Sequence, residues 1–281
     1  RVGLVGLTRN RDDVRKLRFH GIVPLIGDLD DRRTLARLGV GTFAVLHCAP
    51  PPSEGKDDPR TRNLLAALAS ARIIPRRFVY LSTSGVYGDC AGARVAETRP
   101  TRPRTPRARR RVAAERRLRA WAARNGVALS ILRVPGIYAP TRLPLERLKQ
   151  GTPVLVRDAD VYTNRIHADD LAHAVIGALY HGRPNRAYNA SDDSEMKMGE
   201  WFDTVADAYH LPRPPRVSFD DAEQRLAPML MSFMSESRRL ANARMKGELR
   251  VRLRYPTPDA ALAQSAPREL RRQLALPIEG P

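Results

Sequence analysis

The stretch FVYLSTSGVYG, from Phe78 to Gly88, joins a short apolar run to a turn rich in hydroxyl side chains. Its first four residues, Phe78 to Leu81, are β-formers and predict a strand. The strand is too apolar to have one face in water, so it predicts a parallel sheet that is covered on both sides. Because ligands bind at the carboxyl ends of strands in such sheets, the turn from Ser82 to Ser84 is a candidate site.

Apolar runs of the same kind alternate with helical patterns along the first half of the chain. Strands are expected at residues 2–7, 22–26, 43–48, 78–81 and 127–134, and helices from the Asp12-Asp13 pair to Gly21 and at 31–38, 63–71 and 107–124. This alternation predicts an α/β fold, a Rossmann-like doubly wound parallel sheet. Beyond residue 140 it fades. We therefore expect a core over 1–138, completed by about 163–190, and a smaller substrate-binding region over 139–162 and 191–281.

The composition excludes several classes of protein. Hydrophobic residues make up 42% of the 281 residues, enough for a sizeable core. The sequence has no stretch near about twenty uninterrupted apolar residues, and it shows no signal of secretion. Two cysteines, Cys48 and Cys90, make neither a disulfide framework nor a zinc site. We therefore expect a reducing, cytoplasmic location and no membrane partner.

The net charge of +19 is unusual, and only five of the 49 basic residues are lysines. Such an excess is typical of proteins that bind nucleic acid or anionic ligands, and also of chains that carry arginine at ordinary surface positions. Here the arginines are spread along the whole chain. Aromatic residues are only 6%, which argues against a surface that stacks on bases. The solvated-surface interpretation is favoured.

Four segments follow one another in the order and spacing of a known family. They are Leu81–Gly88, Ile131–Tyr138, Asn164–Ala172, and Tyr188-Asn189 with Asp192-Asp193. Through these segments the chain resembles the extended short-chain dehydrogenase/reductase superfamily over essentially its whole length. Within that superfamily it resembles the NAD(P)-dependent epimerase/dehydratase type, and most of all an atypical bacterial branch of that type. The resemblance implies a Rossmann fold that binds NAD(P), and an oxidoreductase, epimerase or dehydratase acting on a small polar substrate, with a nucleotide-linked one as an option.

The resemblance assigns the adenosine end of the cofactor to the first two strand ends. Arg9 would lie at the ribose, where arginine matches a 2′-phosphate, so NADP is favoured over NAD. The alternative for Arg9 is a surface arginine. Asp28 would accept from the adenine amino group, with Leu29 packed on the ring. The alternative for Asp28 is an N-cap of the helical segment after Asp30, and its two oxygens allow both roles.

The next strand end would lie under the ribose on the nicotinamide side. The resemblance places His47, Cys48 and Ala49 there, and Pro135 at the end of the strand that begins near residue 127. His47 is alternatively a structural histidine with satisfied hydrogen bonds. Cys48 is alternatively a small buried hydrophobic residue.

Thr83 lies four residues before Tyr87, which is where the family's catalytic hydroxyl stands. It would donate to the substrate oxygen and stabilise developing alkoxide charge. Ser84 is the second candidate for this role. The alternative is a turn whose hydroxyl groups satisfy backbone groups at the end of a strand.

The chain departs from the family where a tyrosine and a lysine should follow. Counting back from Ala114-Glu115, the resemblance places that pair at Arg107 and Arg111. No tyrosine or lysine lies within residues 89–137, so a small shift of the alignment does not restore it. Arginine stays protonated because its pKa exceeds about 12, so it cannot act as the proton acceptor. The usual Tyr–Lys chemistry is therefore in doubt, and whether the protein is an enzyme stays open.

Helical spacing puts the two arginines on one face with three apolar residues, Ala114, Leu118 and Trp121. The apolar part should face the core, so Arg107 and Arg111 would point towards the cleft and could grip a phosphate or carboxylate. The alternative is a solvated charge run. That run covers the other faces with Arg109, Arg110, Arg116, Arg117 and Arg119. Tyr87 is a nearby phenol that could stand in as an acid, although we expect it in the core.

The family opens with a strand and a glycine-rich turn that cradles the pyrophosphate, and neither is seen here. Gly3 and Gly6 lie within a run that matches the family's second strand. Supplying the turn would take roughly 25 to 30 residues, one strand and helix. We expect either that the chain is a fragment or that the pyrophosphate grip has been lost.

Two further groups of residues are weighed and set aside. His167, Asp169 and Asp170 fit a helix start capped by Asp169 better than a metal site, since no fourth ligand is evident. Arg238 and Arg239 lie in a segment that resembles the family's closing one, which is usually structural, although either could reach a substrate phosphate.

Two other functions stay open beside the enzyme. A catalytically silent NADP-binding sensor or assembly subunit would account for the absent Tyr–Lys pair. The arginine tract from Arg94 to Arg124 would bind nucleic acid with a steep dependence on salt. It lacks interleaved aromatic residues and is the least favoured option. The expected partner is a small-molecule substrate, and a homodimer is left open.

Overall fold

The computed structural model describes residues 3–38, 42–70 and 74–265. The chain forms two compact units. The first comprises the chain up to Ser82 with Pro106–Ile131 and Gly182–Arg186. The second comprises Thr83–Thr105, Leu132–His181 and the chain from Ala187 onwards. The division drawn from the sequence near residue 138 stays a prediction.

The described residues form short strands between helices. The strands are β1 (Leu4–Thr8), β2 (Ile22–Ile26), β3 (Ala44–His47), β4 (Arg77–Thr83), β5 (Arg94–Val95), β6 (Ala128–Val134), β7 (Gly136–Tyr138), β8 (Val154–Leu155), β9 (Arg165–His167), β10 (Arg186–Asn189), β11 (Arg216–Val217) and β12 (Arg239–Leu240). The helices are α1 (Asp13–Phe19), α2 (Pro59–Ala69), α3 (Pro106–Asn125), α4 (Leu145–Lys149), α5 (Ala168–His181), α6 (Met198–Ala208), α7 (Phe219–Arg225), α8 (Pro228–Met234), α9 (Ala243–Glu248) and α10 (Pro258–Ser265). No helix in these ranges is both long and apolar enough to cross a bilayer.

Parallel pairing runs through the sheets and confirms the predicted α/β class. A four-stranded sheet has the order β10-β6-β4-β3, and β1 pairs with β2 in a separate sheet. The pairs β1–β2, β3–β4, β5–β12, β7–β9 and β8–β11 are all parallel. In the β3–β4 pair His47 stands opposite Tyr80, so both strands end at the same edge. Parallel strands need helical crossovers, which is why strands and helices alternate along the chain.

We expected both faces of each strand to be buried, and the structure shows this for some strands only. In β4 the residues Phe78, Val79 and Tyr80 are all buried. In β1 and β2 the side chains of Val5 and Val23 are 67% and 61% exposed. The expectation that both faces are covered is therefore wrong for this pair of strands, against which α1 packs.

Local capping explains where the predicted helices begin and end. Helix α2 starts at Pro59, four residues before the predicted start, because Asp58 caps it through the backbone N–H of Thr61. The segment predicted as a helix over 31–38 is a short 3-10 helix, Arg32–Leu35. Helix α3 covers the predicted 107–124 with one further residue at each end.

Candidate active site

The guanidinium of Arg111 is anchored at the carboxyl ends of β3 and β4. Its Nη1 donates to the carbonyl oxygens of Leu81 at 2.8 Å and Ala49 at 3.5 Å, and to the Tyr80 hydroxyl at 3.0 Å. Among the described residues, Nε and Nη2 of Arg111 have no hydrogen-bond partner. One nitrogen is therefore fixed by the protein, and the other two can bind an acceptor from outside.

Helix α3 positions this arginine through its buried face. Ala114, Leu118 and Trp121 are buried, as the stripe predicts, and Arg111 follows on the same face one turn earlier. Arg107, a further turn towards the N-terminus, is exposed. The structure thus brings Arg111 to the strand ends and leaves Arg107 at the surface of the helix.

The other faces of α3 are not a uniformly solvated charge run: that alternative is wrong for Arg110, whereas Arg117 is half-exposed. Arg110 is buried and donates to the carbonyl oxygen of Gly55 at 2.9 Å. Arg117 forms an ion pair with Asp57 at 2.6 Å. The segment before α2 packs on this side of α3, so part of the positive charge is neutralised within the first unit.

Tyr80 is a phenol near Arg111 that the sequence alone did not single out. Its side chain is fully buried, and burial raises its pKa to about 12, although the Arg111 guanidinium acts in the opposite direction. The Cζ atom of Arg111 lies 5.4 Å from the centre of the ring. Tyr80 therefore stays protonated at neutral pH and holds Arg111 in place instead of exchanging a proton.

His47, at the end of β3, is the first member of a buried hydrogen-bond chain. Its Nε2 lies 2.9 Å from Oγ1 of Thr61, which donates to Asp58 Oδ2 at 2.6 Å. The His47 ring also packs against the Tyr80 ring, with centroids 5.3 Å apart. Cys48, the next residue, is exposed, so the interpretation of this thiol as a buried hydrophobic residue is wrong. Partial burial of the thiol still raises the pKa of Cys48, and the Arg111 guanidinium opposes that shift.

The turn after β2 leaves one carboxylate oxygen without a partner. Asp28 Oδ1 accepts from the backbone N–H of Asp30 at 2.9 Å, while no donor to Oδ2 is found among the described residues. The 3-10 helix that follows is capped by Asp31, whose side chain accepts from Arg33. The alternative role of Asp28 as a helix N-cap is therefore wrong, because Asp31 already fills that position.

Two residues of α2 tie this turn to the end of β3. Arg60 grips the Asp30 carboxylate with two hydrogen bonds, at 2.8 and 2.7 Å, and donates to the carbonyl oxygen of Pro50 at 3.1 Å. Asn63 donates to the carbonyl oxygen of Leu29 at 2.8 Å. Arg60 holds the pKa of Asp30 below its ordinary value, and the exposed Arg9 contributes to that shift. Arg9 therefore stands close enough to act on this turn.

In the second unit, Thr83 ends β4 and begins a short 3-10 helix. Its Oγ1 accepts from the backbone N–H of Gly85 at 3.3 Å, as in a hydroxyl-rich turn. Because the hydroxyl accepts in this contact, its own proton remains available for donation. Ser84 is buried, and Pro135 is half-buried directly after β6. Thr83 is thus the more accessible of the two hydroxyl candidates.

Tyr87 lies in the core, as expected. Its hydroxyl donates to Asn189 Oδ1 at 2.7 Å and accepts from Arg133 Nη1 at 2.9 Å. The ring is 1% exposed. Tyr87 is therefore held by internal partners and does not present an acid to solvent.

Internal hydrogen bonds engage the arginine pair Arg238 and Arg239, and also Asp170 of the group rejected as a metal site. Arg238 donates to Gly88 O at 2.7 Å and to Glu236 at 2.8 Å, and Arg239 donates to Gly92 O at 2.7 Å. Both oxygens of Asp170 accept backbone N–H groups, from Arg254 at 2.8 Å and Tyr255 at 2.9 Å.

The first turn of α5 differs from the prediction at its cap. The backbone N–H of Asp169 donates to Nδ1 of His167 at 3.2 Å, and the Asp169 side chain is exposed. Capping by Asp169 is therefore wrong: the imidazole of the residue before the helix takes that role, because α5 already begins at Ala168.

Sequence reasoning missed Tyr80, Asp58 and Thr61 as residues of this site. It placed Ser82 in the candidate turn but did not predict its contact: Ser82 donates to the buried carboxylate of Glu115 at 2.6 Å, which joins β4 to α3. The Asp58-Pro59 pair was a readable signal of a helix start, since Pro favours the first helical position after a capping residue.

The comparisons with known proteins agree with this architecture. The profile of the NAD dependent epimerase/dehydratase family matches residues 3–191. GDP-6-deoxy-D-mannose reductase from Pseudomonas aeruginosa is 31% identical over 162 residues, which are 52% of this chain and 53% of the relative. The chain spans about half the length of the curated relatives it matches.

Solved structures share the fold over nearly the whole chain. A functionally unknown conserved protein from Silicibacter pomeroyi is 34% identical, with a TM-score of 0.76 over 92% of this chain and 88% of that one. The structure of RMD from Pseudomonas aeruginosa complexed with NADPH has a TM-score of 0.71 at 20% identity, over 93% and 97% of the two chains. The chain belongs to the NAD dependent epimerase/dehydratase family.

The donors and acceptors of the first unit suit the hydroxyl and phosphate groups of a dinucleotide. Arg9 and Arg111 offer guanidinium nitrogens, and Asp28 offers a carboxylate oxygen. All three follow or face the carboxyl ends of parallel strands, where such folds bind ligands. The residues present therefore fit this class of cofactor.

Proposed function

We propose that this protein is an NAD(P)-dependent oxidoreductase of the epimerase/dehydratase kind that acts on a nucleotide-linked sugar. The observation that carries the proposal is the anchoring of Arg111 at the ends of β3 and β4, with two guanidinium nitrogens left for a ligand. The name of the reductase relative supports a sugar nucleotide as substrate class. The bound cofactor would supply or accept the hydride.

Each candidate residue has a defined part in this proposal. Arg9 and Asp28 hold the adenosine end, with Leu29 against the ring, and Arg9 favours NADP through the 2′-phosphate. His47, Cys48, Ala49 and Pro135 line the ribose on the reactive side. Thr83, with Ser84 as the second candidate, donates to the substrate oxygen. Arg107 and Arg111 hold anionic groups. A small-molecule partner, a cytoplasmic location and a homodimer remain predictions.

A second candidate is a member that binds NADP without turnover. It is favoured by the state of the phenols: Tyr80 stays protonated by burial, and Tyr87 is engaged by Asn189 and Arg133. Helix α3 carries no tyrosine or lysine. Such a protein would respond to the cofactor as a sensor or assembly subunit.

One experiment separates the two candidates. Binding of NADP(H) and NAD(H) is measured by titration calorimetry, and turnover is followed at the nicotinamide absorbance with GDP-, UDP- and dTDP-linked sugars. The enzyme proposal expects binding with turnover of at least one sugar nucleotide. Binding without turnover in the whole panel supports the silent member, and absence of dinucleotide binding contradicts both.

A further inference from the structure

With Asp58 as a carboxylate that accepts both of its contacts, the hydrogen-bond chain Asp58–Thr61–His47 has one arrangement of protons. The Asp58 carboxylate accepts from the backbone N–H of Thr61 at 3.1 Å and from its hydroxyl at 2.6 Å. A hydroxyl has one proton, so Thr61 Oγ1 can only accept from the third partner. That partner is His47 Nε2, 2.9 Å away, which must therefore carry a hydrogen.

The same surroundings keep the His47 ring neutral. His47 is 3% exposed, and Asp58 and Thr61 are fully buried. Burial lowers the pKa of His47 to about 4, with a further lowering from Arg111 and an opposing effect of Asp58. Tyr80, which packs against the ring, stays protonated as well. A neutral ring with hydrogen on Nε2 has a lone pair on Nδ1.

We propose that Asp58 and Thr61 are positioning residues that fix His47 as the Nε2–H tautomer, so that Nδ1 is a permanent hydrogen-bond acceptor for a ribose hydroxyl of the dinucleotide. Nδ1 has no partner in the part of the chain that the structure describes. His47 ends β3, at the edge of the sheet where Arg111 is anchored. The choice of ligand rests on the proposed function, whereas the tautomer rests on the hydrogen-bond chain and on the burial of the ring.

The tautomer is measured directly by 15N-resolved NMR of the imidazole groups at pH 7. The chain has six histidines, and His47 is assigned by the signals that disappear in His47→Gln. The expected result is a protonated, pyrrole-like Nε2 and an unprotonated, pyridine-like Nδ1. The opposite assignment in the unmodified protein overturns the proposal.

Asp58→Asn should reverse the direction of both side-chain hydrogen bonds, the one between residue 58 and Thr61 and the one between Thr61 and His47. The amide oxygen can still accept from the Thr61 N–H, so the helix keeps its cap, while the NH2 group now donates to Thr61 Oγ1. The Thr61 proton is then free to donate to Nε2, and we expect the proton on His47 to move to Nδ1. Thr61→Val removes the contact and gives a mixture of tautomers, and Thr61→Ser is the control that keeps the original one. If the His47 tautomer is unchanged in Asp58→Asn, Asp58 and Thr61 do not fix it, and the proposal is overturned.

Titration of the same variants with NADPH tests the ligand. Asp58→Asn and Thr61→Val should weaken binding by about fivefold, the effect of one hydrogen bond, and Thr61→Ser should not. A reversed tautomer with unchanged affinity overturns the acceptor role of Nδ1. If the unmodified protein binds neither NADPH nor NADH, the proposed function fails and takes the acceptor role with it. The NMR result still decides whether Asp58 and Thr61 fix the tautomer of His47.

Discussion

The hydroxyl of Tyr80 lies 3.0 Å from Nη1 of Arg111. Arg111 occupies the position on helix α3 where the resemblance to the family leads us to expect a lysine. A guanidinium is always charged and cannot take up a proton, and burial keeps the phenol protonated as well. The pair can therefore bind and orient a ligand but cannot accept a proton at neutral pH. A general base has to come from another group.

The first prediction concerns this arginine. Arg111→Met should weaken dinucleotide binding at least tenfold, because hydrogen bonds to charged groups contribute about 1.5–3 kcal/mol. Titration calorimetry with NADPH measures the change. Arg109→Met, an exposed arginine on the same helix, is the matched control and should bind as the unmodified protein does. Equal losses in the two variants would mean that net charge, not the anchored guanidinium, drives binding.

Thr83→Val should lower kcat by about 10- to 1000-fold, since removal of one donor to a developing oxyanion has effects up to that size. Cofactor affinity should stay unchanged, because valine keeps the shape of the side chain. Steady-state kinetics with the sugar nucleotide that is turned over give both values. Thr101→Val, at a half-buried threonine, controls for the loss of a hydroxyl. Full activity in Thr83→Val would remove the role assigned to this hydroxyl.

Cofactor preference should depend on Arg9. Arg9→Asp replaces a partner for the 2′-phosphate by an acceptor for the 2′-hydroxyl, so the ratio of NADPH to NADH affinity should fall at least tenfold. Two titrations with each protein give the ratio. Arg11→Asp makes the same charge change at another exposed position and should leave the ratio where it was. A ratio that falls equally in both variants contradicts a specific contact.

Stability should fall as the pH rises through the range set by Asp192. Burial raises the pKa of this carboxyl to about 7 in the folded protein, although Ser194 and Arg165 favour the charged form. In the unfolded chain it ionises near pH 4, so unfolding releases a proton between these values. The cost to the folded state is complete above pH 7 and amounts to about 4 kcal/mol, as an order of magnitude.

Asp192→Asn removes that ionisation. Its free energy of unfolding should exceed that of the unmodified protein by a margin that grows from pH 5 to pH 8. Denaturant titrations at each pH measure the margin. Asp158→Asn, at an exposed carboxyl, should show no such trend. A margin that is constant with pH would mean that Asp192 carries no raised pKa.

Local patterns in the sequence predicted much of the architecture. The strand at Ile22–Ile26 was predicted with its observed bounds, and α3 within one residue at each end. Both predictions depend on apolar periodicity and on glycines that mark the ends of elements, and these signals extend over only a few residues. The start of α2 was missed because the prediction followed apolar periodicity and not the cap at Asp58.

The sequence by itself determined the α/β class, the alternation of elements and the presence of arginine where a lysine was expected. Only the tertiary structure decided what that arginine does. Tyr80 and Arg111 are 31 positions apart, and Thr61 is 14 positions from His47. Their contacts arise from the way parallel strands end at one edge beneath the packed helices. No periodicity along the chain encodes such contacts, because they depend on burial and on hydrogen-bond direction in three dimensions.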